Sequence, residues 1–247
     1  MTAMKRAIAA ILPVCTDLRR QAEARLAASE SSARSRTVPS FVPTAPPLPT
    51  VPTSGSVSIA QTDRQAEQAH ERKDYGEEMR LWRSSAAKGD PEAQDHIGLL
   101  FQLGDGVTQD WTEAMRWYRL AADHGFVEAQ ERVGQLYYFG GFGVTEDYAE
   151  SIRWYQMAAN SGDVVALFSL GGFYEKGSGV AQDYTEALRL YKLAAERGLA
   201  AAQYKVGALY LNGQGAAADP ILARAWFTKA AAQGWPDAKT WLAQHPQ

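Results

Sequence analysis

The sequence predicts an all-α protein, an α/α solenoid of antiparallel helix pairs with four full repeats and capping helices at its ends. Three observations carry this. One residue signature returns about every thirty-six positions, apolar residues within each copy fall at helical spacing, and glycine and aspartate stand where one helix must stop and the next begin. A fixed period of this length marks one supersecondary unit stacked on copies of itself, because a single helix pair cannot bury its apolar face alone.

The elements follow in chain order. Residues 1–26 open with Lys5-Arg6 and the apolar run Ala7–Val14, which resembles the short core of a secretory signal. Leu12-Pro13-Val14-Cys15 is a poor echo of a lipoprotein cleavage box, since Val14 stands where that box wants Gly or Ala. A lipid anchor at Cys15 and a weakly amphipathic or mis-assigned start are both open readings. The compartment is equally open between cytoplasm and periplasm. Residues 27–58 are rich in Ser, Pro and Thr, including the run Pro43–Pro52. Such a stretch has too little apolar surface to offset the entropy of ordering it, so it reads as a semi-stiff tether.

Residues 59–90 form an N-terminal cap. Tyr75, Glu77 and Leu81-Trp82 through Gly89 repeat the second-helix half of the unit, and the polar residues 61–72 precede it. Repeat 1 spans 91–126 and carries Ala93, Ile97-Gly98, Phe101, Gly104-Asp105-Gly106, Asp110, Trp117-Tyr118, Ala121-Ala122 and Gly125. Repeat 2 (127–163) returns Ala129, Val133-Gly134, Gly141-Phe142-Gly143, Asp147 and Trp154-Tyr155. Repeat 3 (164–199) returns Ala166, Leu170-Gly171, Gly177-Ser178-Gly179, Asp183 and Leu190-Tyr191. Repeat 4 (200–235) returns Ala202, Val206-Gly207, Gly213-Gln214-Gly215, Asp219 and Trp226-Phe227. Residues 236–247 begin another first helix with Ala238 and Leu242, which closes the stack.

Within each unit Ala93, Ile97 and Phe101 stand at i, i+4 and i+8, a single buried stripe. Gly98 and its counterparts Gly134, Gly171 and Gly207 lie beside it. A glycine inside a helix costs about 1 kcal/mol relative to alanine, so four in register imply close approach of the paired helix. Gly104, Gly141, Gly177 and Gly213 are expected to end the first helices. Asp74/Glu77, Asp110/Glu113, Asp147/Glu150 and Asp183/Glu186 have capping-box spacing at the second-helix starts, and Pro220 follows Asp219 at a first helical position.

Charge and composition exclude several functions. Residues 1–60 hold 7 Lys/Arg against 3 Asp/Glu, while residues 61–247 hold 18 against 25, a net charge of −7. An acidic solenoid lacks the cations that replace phosphate counterions, so nucleic acid is not an expected partner. Cys15 is the sole cysteine, which leaves no intrachain disulfide and no multi-cysteine metal site. No run reaches the ~20 apolar residues of a transmembrane helix.

Apparent catalytic signals have simpler readings. The Gly-x-Gly loops follow helices, not the strand a dinucleotide fingerprint requires. His70, His96, His124 and His245 fall in different units with no second His or Cys at i+3 or i+4, and read as surface residues. Ser85 and Lys88 match a Ser-x-x-Lys spacing without its companion motifs, and Ser85 holds the place of Ala121 in the next unit, beside a helix end. The Asp/Glu pairs all occupy helix starts. No catalytic residue, metal or cofactor is expected.

The pattern Ala-x-x-x-Leu-Gly-x-x-Tyr, Gly-x-Gly-Val, Asp-Tyr-x-Glu-Ala, Trp-Tyr and Ala-Ala-x-x-Gly resembles the Sel-1-like repeat, a relative of the tetratricopeptide repeat, over about residues 73–243. The resemblance implies a right-handed superhelix and an adaptor role in protein complexes. Related cysteine-rich bacterial proteins, for which β-lactam binding or hydrolysis has been proposed, carry a disulfide in each repeat, and this chain has no cysteine there.

By similarity to the tetratricopeptide superhelix, the concave groove is lined three before and one and four after the central glycine. Those positions are Asp95, Leu99 and Gln102; Glu131, Gln135 and Tyr138; Phe168, Gly172 and Glu175; Tyr204, Ala208 and Leu211. Their acidic and aromatic mixture suits an extended peptide or loop with Lys or Arg side chains. Phe168 and Tyr204 also read as packing residues. The expected function is a non-enzymatic scaffold that binds protein; an envelope glycan or small ligand on the same aromatics is the alternative.

Overall fold

The computed structural model describes residues 58–140 and 143–246. The signal-like segment with Cys15, the Pro-rich run and Gly141 lie outside the described residues. Among the described residues eleven α-helices follow one another: α1 (Ile59–Glu71), α2 (Tyr75–Ala86), α3 (Pro91–Leu103), α4 (Trp111–Asp123), α5 (Val127–Phe139), α6 (Tyr148–Asn160), α7 (Val164–Lys176), α8 (Tyr184–Glu196), α9 (Ala200–Asn212), α10 (Pro220–Ala232) and α11 (Pro236–Gln244). Extensive packing joins each helix only to its predecessor and successor, and the two helices of a repeat meet more closely than helices of neighbouring repeats. The architecture is an α/α solenoid, in which stability is built from units and the interfaces between neighbours.

The helix-interior glycines explain that tight pairing. Tyr118, Tyr155, Tyr191 and Phe227 of the second helices are at most 4% exposed, and each lies on the glycine of its own first helix. A Cβ at Gly98 would stand 2.6 Å from the Tyr118 ring, at Gly171 2.7 Å from Tyr191 and at Gly207 2.8 Å from Phe227. At Gly134 the corresponding distance to Tyr155 is 3.1 Å, a slightly looser seat. The ring replaces the missing side chain and brings two backbones together, which more than offsets the intrinsic helix cost of glycine.

Aspartates start the second helices. Asp110 accepts from the amides of Thr112 and Glu113, Asp147 from Ala149 and Glu150, and Asp183 from Thr185 and Glu186. The expected reciprocal half of the capping box is replaced. Glu77, Glu113, Glu150 and Glu186 turn forward instead to Arg80, Arg116, Arg153 and Arg189. An arginine one turn on meets the carboxylate with a formal positive charge and several donors, which a single backbone amide behind lacks. The reciprocal box does form at Ser58 and Gln61, whose neutral amide has no charge to pair with Arg64 one turn on.

Left-handed glycines Gly104, Gly177 and Gly213 close α3, α7 and α9. In repeat 2 the helix ends one residue earlier than expected, with Gly140 at the cap. The extra residue of that repeat thus enters the loop immediately after Phe139.

Candidate functional site

The face expected to bind is carried by the first helices α3, α5, α7 and α9. Each presents the positions flanking its buried glycine, so the ring-on-glycine contact orients the candidate residues. Polar bridges tie neighbouring first helices side by side at each step. Arg132 Nε on α5 donates to Asp95 Oδ1 on α3 at 3.0 Å. Lys176 Nζ on α7 donates to the Tyr138 hydroxyl on α5 at 3.2 Å. Lys205 Nζ on α9 donates to both carboxylate oxygens of Glu175 on α7 at 2.9 Å.

Several candidate residues therefore have structural partners. Asp95 is 5% exposed. Its burial pushes the carboxyl up, against the opposing pull of the Arg132 guanidinium, which also lies over the Tyr118 ring. Glu175 additionally accepts from the Tyr191 hydroxyl at 2.5 Å, and Gln102 accepts from the Tyr118 hydroxyl at 2.7 Å. In repeat 4 both partners lose their polarity together: Leu211 stands where Gln102 and Glu175 stand, and Phe227 has no hydroxyl. Leu211 and Ala208 are half-buried against the last core cluster.

The aromatic candidates are half-buried. The Phe168 ring packs 5.3 Å from Tyr191, and Tyr204 packs 5.4 Å from Phe227 and 6.1 Å from Trp235. Tyr138 stands edge-on to Phe173 at 5.2 Å and leans on Tyr148. Each thus offers one side to the core and the other outward. Leu99, Gln135 and Gly172 are half-buried on the same helices.

Glu131 differs from the other acids. It is half-buried, and loss of solvent followed by the charge of Asp163 pushes its carboxyl up to about 7. Arg132 opposes that shift, while Asp95 and Glu128 add to it.

Arg132 and Lys205 were not among the sequence-derived candidates. Their signal was available: both occupy the position two before the glycine, one repeat beyond or near an acid. His96, expected on the surface, is half-buried and stacks on Trp82 with ring centres 4.2 Å apart. Burial lowers its pKa to about 4, so it is a neutral packing residue. His70 bonds Glu78 at 3.0 Å and His245 stacks on Trp241. Ser85 is fully buried and donates to Asp63 at 2.7 Å. Among the described residues, no group of three or more His, Cys, Asp or Glu side chains could hold a metal ion, and no helix is long and apolar enough to cross a membrane.

Comparison with known proteins places the repeats. The family model described as Sel1 repeat matches residues 91–126, 127–163, 164–199 and 200–235. A Sel1 repeat protein from Oxalobacter formigenes is similar over 76% of this chain and 78% of its own, with 33% identity and a TM-score of 0.68. A protective antigen of uropathogenic Escherichia coli displaying an SLR fold is similar over 73% of this chain, with 29% identity and a TM-score of 0.70. The match spans 39% of that antigen's chain. No curated protein matches.

Proposed function

The chain belongs to the Sel1 repeat family, and from that premise we propose that it is a non-enzymatic scaffold that binds another protein along its first-helix face. One observation supports this above the rest. Polar bridges tie α3, α5, α7 and α9 into a continuous surface, and half-buried Leu99, Glu131, Gln135, Tyr138, Phe168 and Tyr204 are distributed along it. A row of partly exposed aromatic and aliphatic side chains on rigid helices gives an extended segment several shallow anchors without ordering the receptor. The net charge of −7 on residues 61–247 favours a basic segment.

Affinity capture with the full chain as bait tests the reading. Leu99→Arg puts a cation on the face without removing a core contact, and Phe168→Ala removes an anchor. Loss of the captured partner in both, with the Leu99→Arg melting temperature retained, is the expected result. The same partners captured equally by wild type and both variants would overturn it.

A further inference from the structure

The polar bridges leave one half-buried acid of the first helices without a cation. The four first helices contain three Lys/Arg side chains, Arg132, Lys176 and Lys205, and each is already bridged to a neighbouring first helix. Of the acids on these helices that sit below the surface, Asp95 holds Arg132 and Glu175 holds Lys205. Glu131 makes no hydrogen bond or ion pair among the described residues. The repeat register shows why. Asp95 is met by the residue two before the next repeat's glycine, which is Arg132; the same position one repeat on from Glu131 is Ser169. A serine cannot reach back as a guanidinium does, and it carries no charge to give.

The consequence is a half-buried carboxylate in a negative environment. Its neighbours Asp163, Asp95 and Glu128 are all acidic, and the one adjacent cation, Arg132, is engaged by Asp95. A carboxyl so placed holds its proton to about 7, and an added positive charge would let it ionise against both the desolvation and the repulsion.

We propose that this positive charge comes from the bound partner: Glu131 is the seat for a lysine or arginine side chain, entering at the position where Ser169 leaves the ladder incomplete. The inference rests on the protein-binding reading above and gives it a chemical specificity. A basic side chain here would repeat, one repeat on, the pairing that Arg132 makes with Asp95, so the partner would supply the cation that Ser169 does not. Arginine has the advantage over lysine because its planar fork can engage a carboxylate through two donors.

The test uses the full chain and two blocked pentapeptides, Ala-Ala-Arg-Ala-Ala and the same peptide with neutral citrulline at its centre. Titration is followed by backbone amide resonances of α5, readable in every variant, and in wild type also by the side-chain carboxyl carbon resonance of Glu131. The expected result is a saturable shift with the arginine peptide, at least five-fold weaker with citrulline. That selectivity should vanish in Glu131→Gln and also in Ser169→Arg, which would fill the seat from within; circular dichroism checks that both variants fold. Equal titration by the two peptides, titration by neither, or selectivity that survives Glu131→Gln would overturn the proposal. Protein capture that persists without arginine selectivity would overturn the seat alone. Arginine selectivity without any captured protein would support the seat and contradict the scaffold reading.

Discussion

Tyr191 lies with its ring against Gly171 and its hydroxyl donating to Glu175, so one side chain both seals the helix pair and fixes a residue of the outer face. Tyr118 repeats the arrangement with Gly98 and Gln102. Packing and surface are thus set by the same contact, and disturbing the seat should disturb the face.

Gly134→Leu should destabilise the chain by more than about 2 kcal/mol, because a branched side chain would wedge α5 from α6 at the Tyr155 ring. Chemical denaturation measures this directly. An unchanged midpoint would mean that the ring can move aside.

The bridge between α3 and α5 joins a buried carboxylate to a guanidinium. Removing one partner leaves the other uncompensated, so Asp95→Leu alone should cost about 3 kcal/mol. The double variant Asp95→Leu/Arg132→Met should cost clearly less than the sum of its singles. Additive losses in a double-mutant cycle would show that the pair is not coupled.

Glu131 makes stability depend on pH in a defined sense. Its carboxyl is raised from 4.5 to about 7 on folding, so the native chain binds that proton more tightly than the unfolded chain. The stability this contributes is full below about 4.5 and is lost as pH rises towards 7. Glu131→Gln should therefore be more stable than wild type at pH 8 by about 1 kcal/mol after allowance for water at a half-buried site. Near pH 4 the two should match. Melting curves at the two pH values check it, and a gain confined to low pH would reverse the argument.

Asp183 caps α8 through two amides, whereas Glu186 only pairs with exposed Arg189. Asp183→Ala should cost about 1 kcal/mol. Glu186→Ala should cost less than about 0.5 kcal/mol. Equal losses would restore a structural role for the glutamate that the hydrogen bonds do not give it.

The features legible in the sequence were those encoded locally. Glycine at a helix end, aspartate at a helix start and an apolar stripe each act within a turn or two, and the helices α3, α4, α7 and α8 lie between such signals. The glycine seats were also legible, because four costly residues in register demand a common cause. What escaped was lateral. Arg132 meets Asp95 only because neighbouring first helices are offset by one residue in register, and no single repeat contains that offset. His96 reads as a surface residue within its own helix, yet Trp82 of the preceding half-repeat covers it. The forward turn of Glu150 to Arg153 was within reach of sequence, but it required weighing two donors for one carboxylate. Whether the face binds a protein is a question of chemistry outside the chain, and the repeats encode only the surface offered.

Everything proposed for that surface depends on rings nesting against glycines, and Gly171→Ala tests this most directly because the two forces predict opposite signs. In an open helix the change stabilises by about 1 kcal/mol. Here the new Cβ would stand 2.7 Å from the Tyr191 ring, and the thermal midpoint should fall. A midpoint that rises would contradict the account.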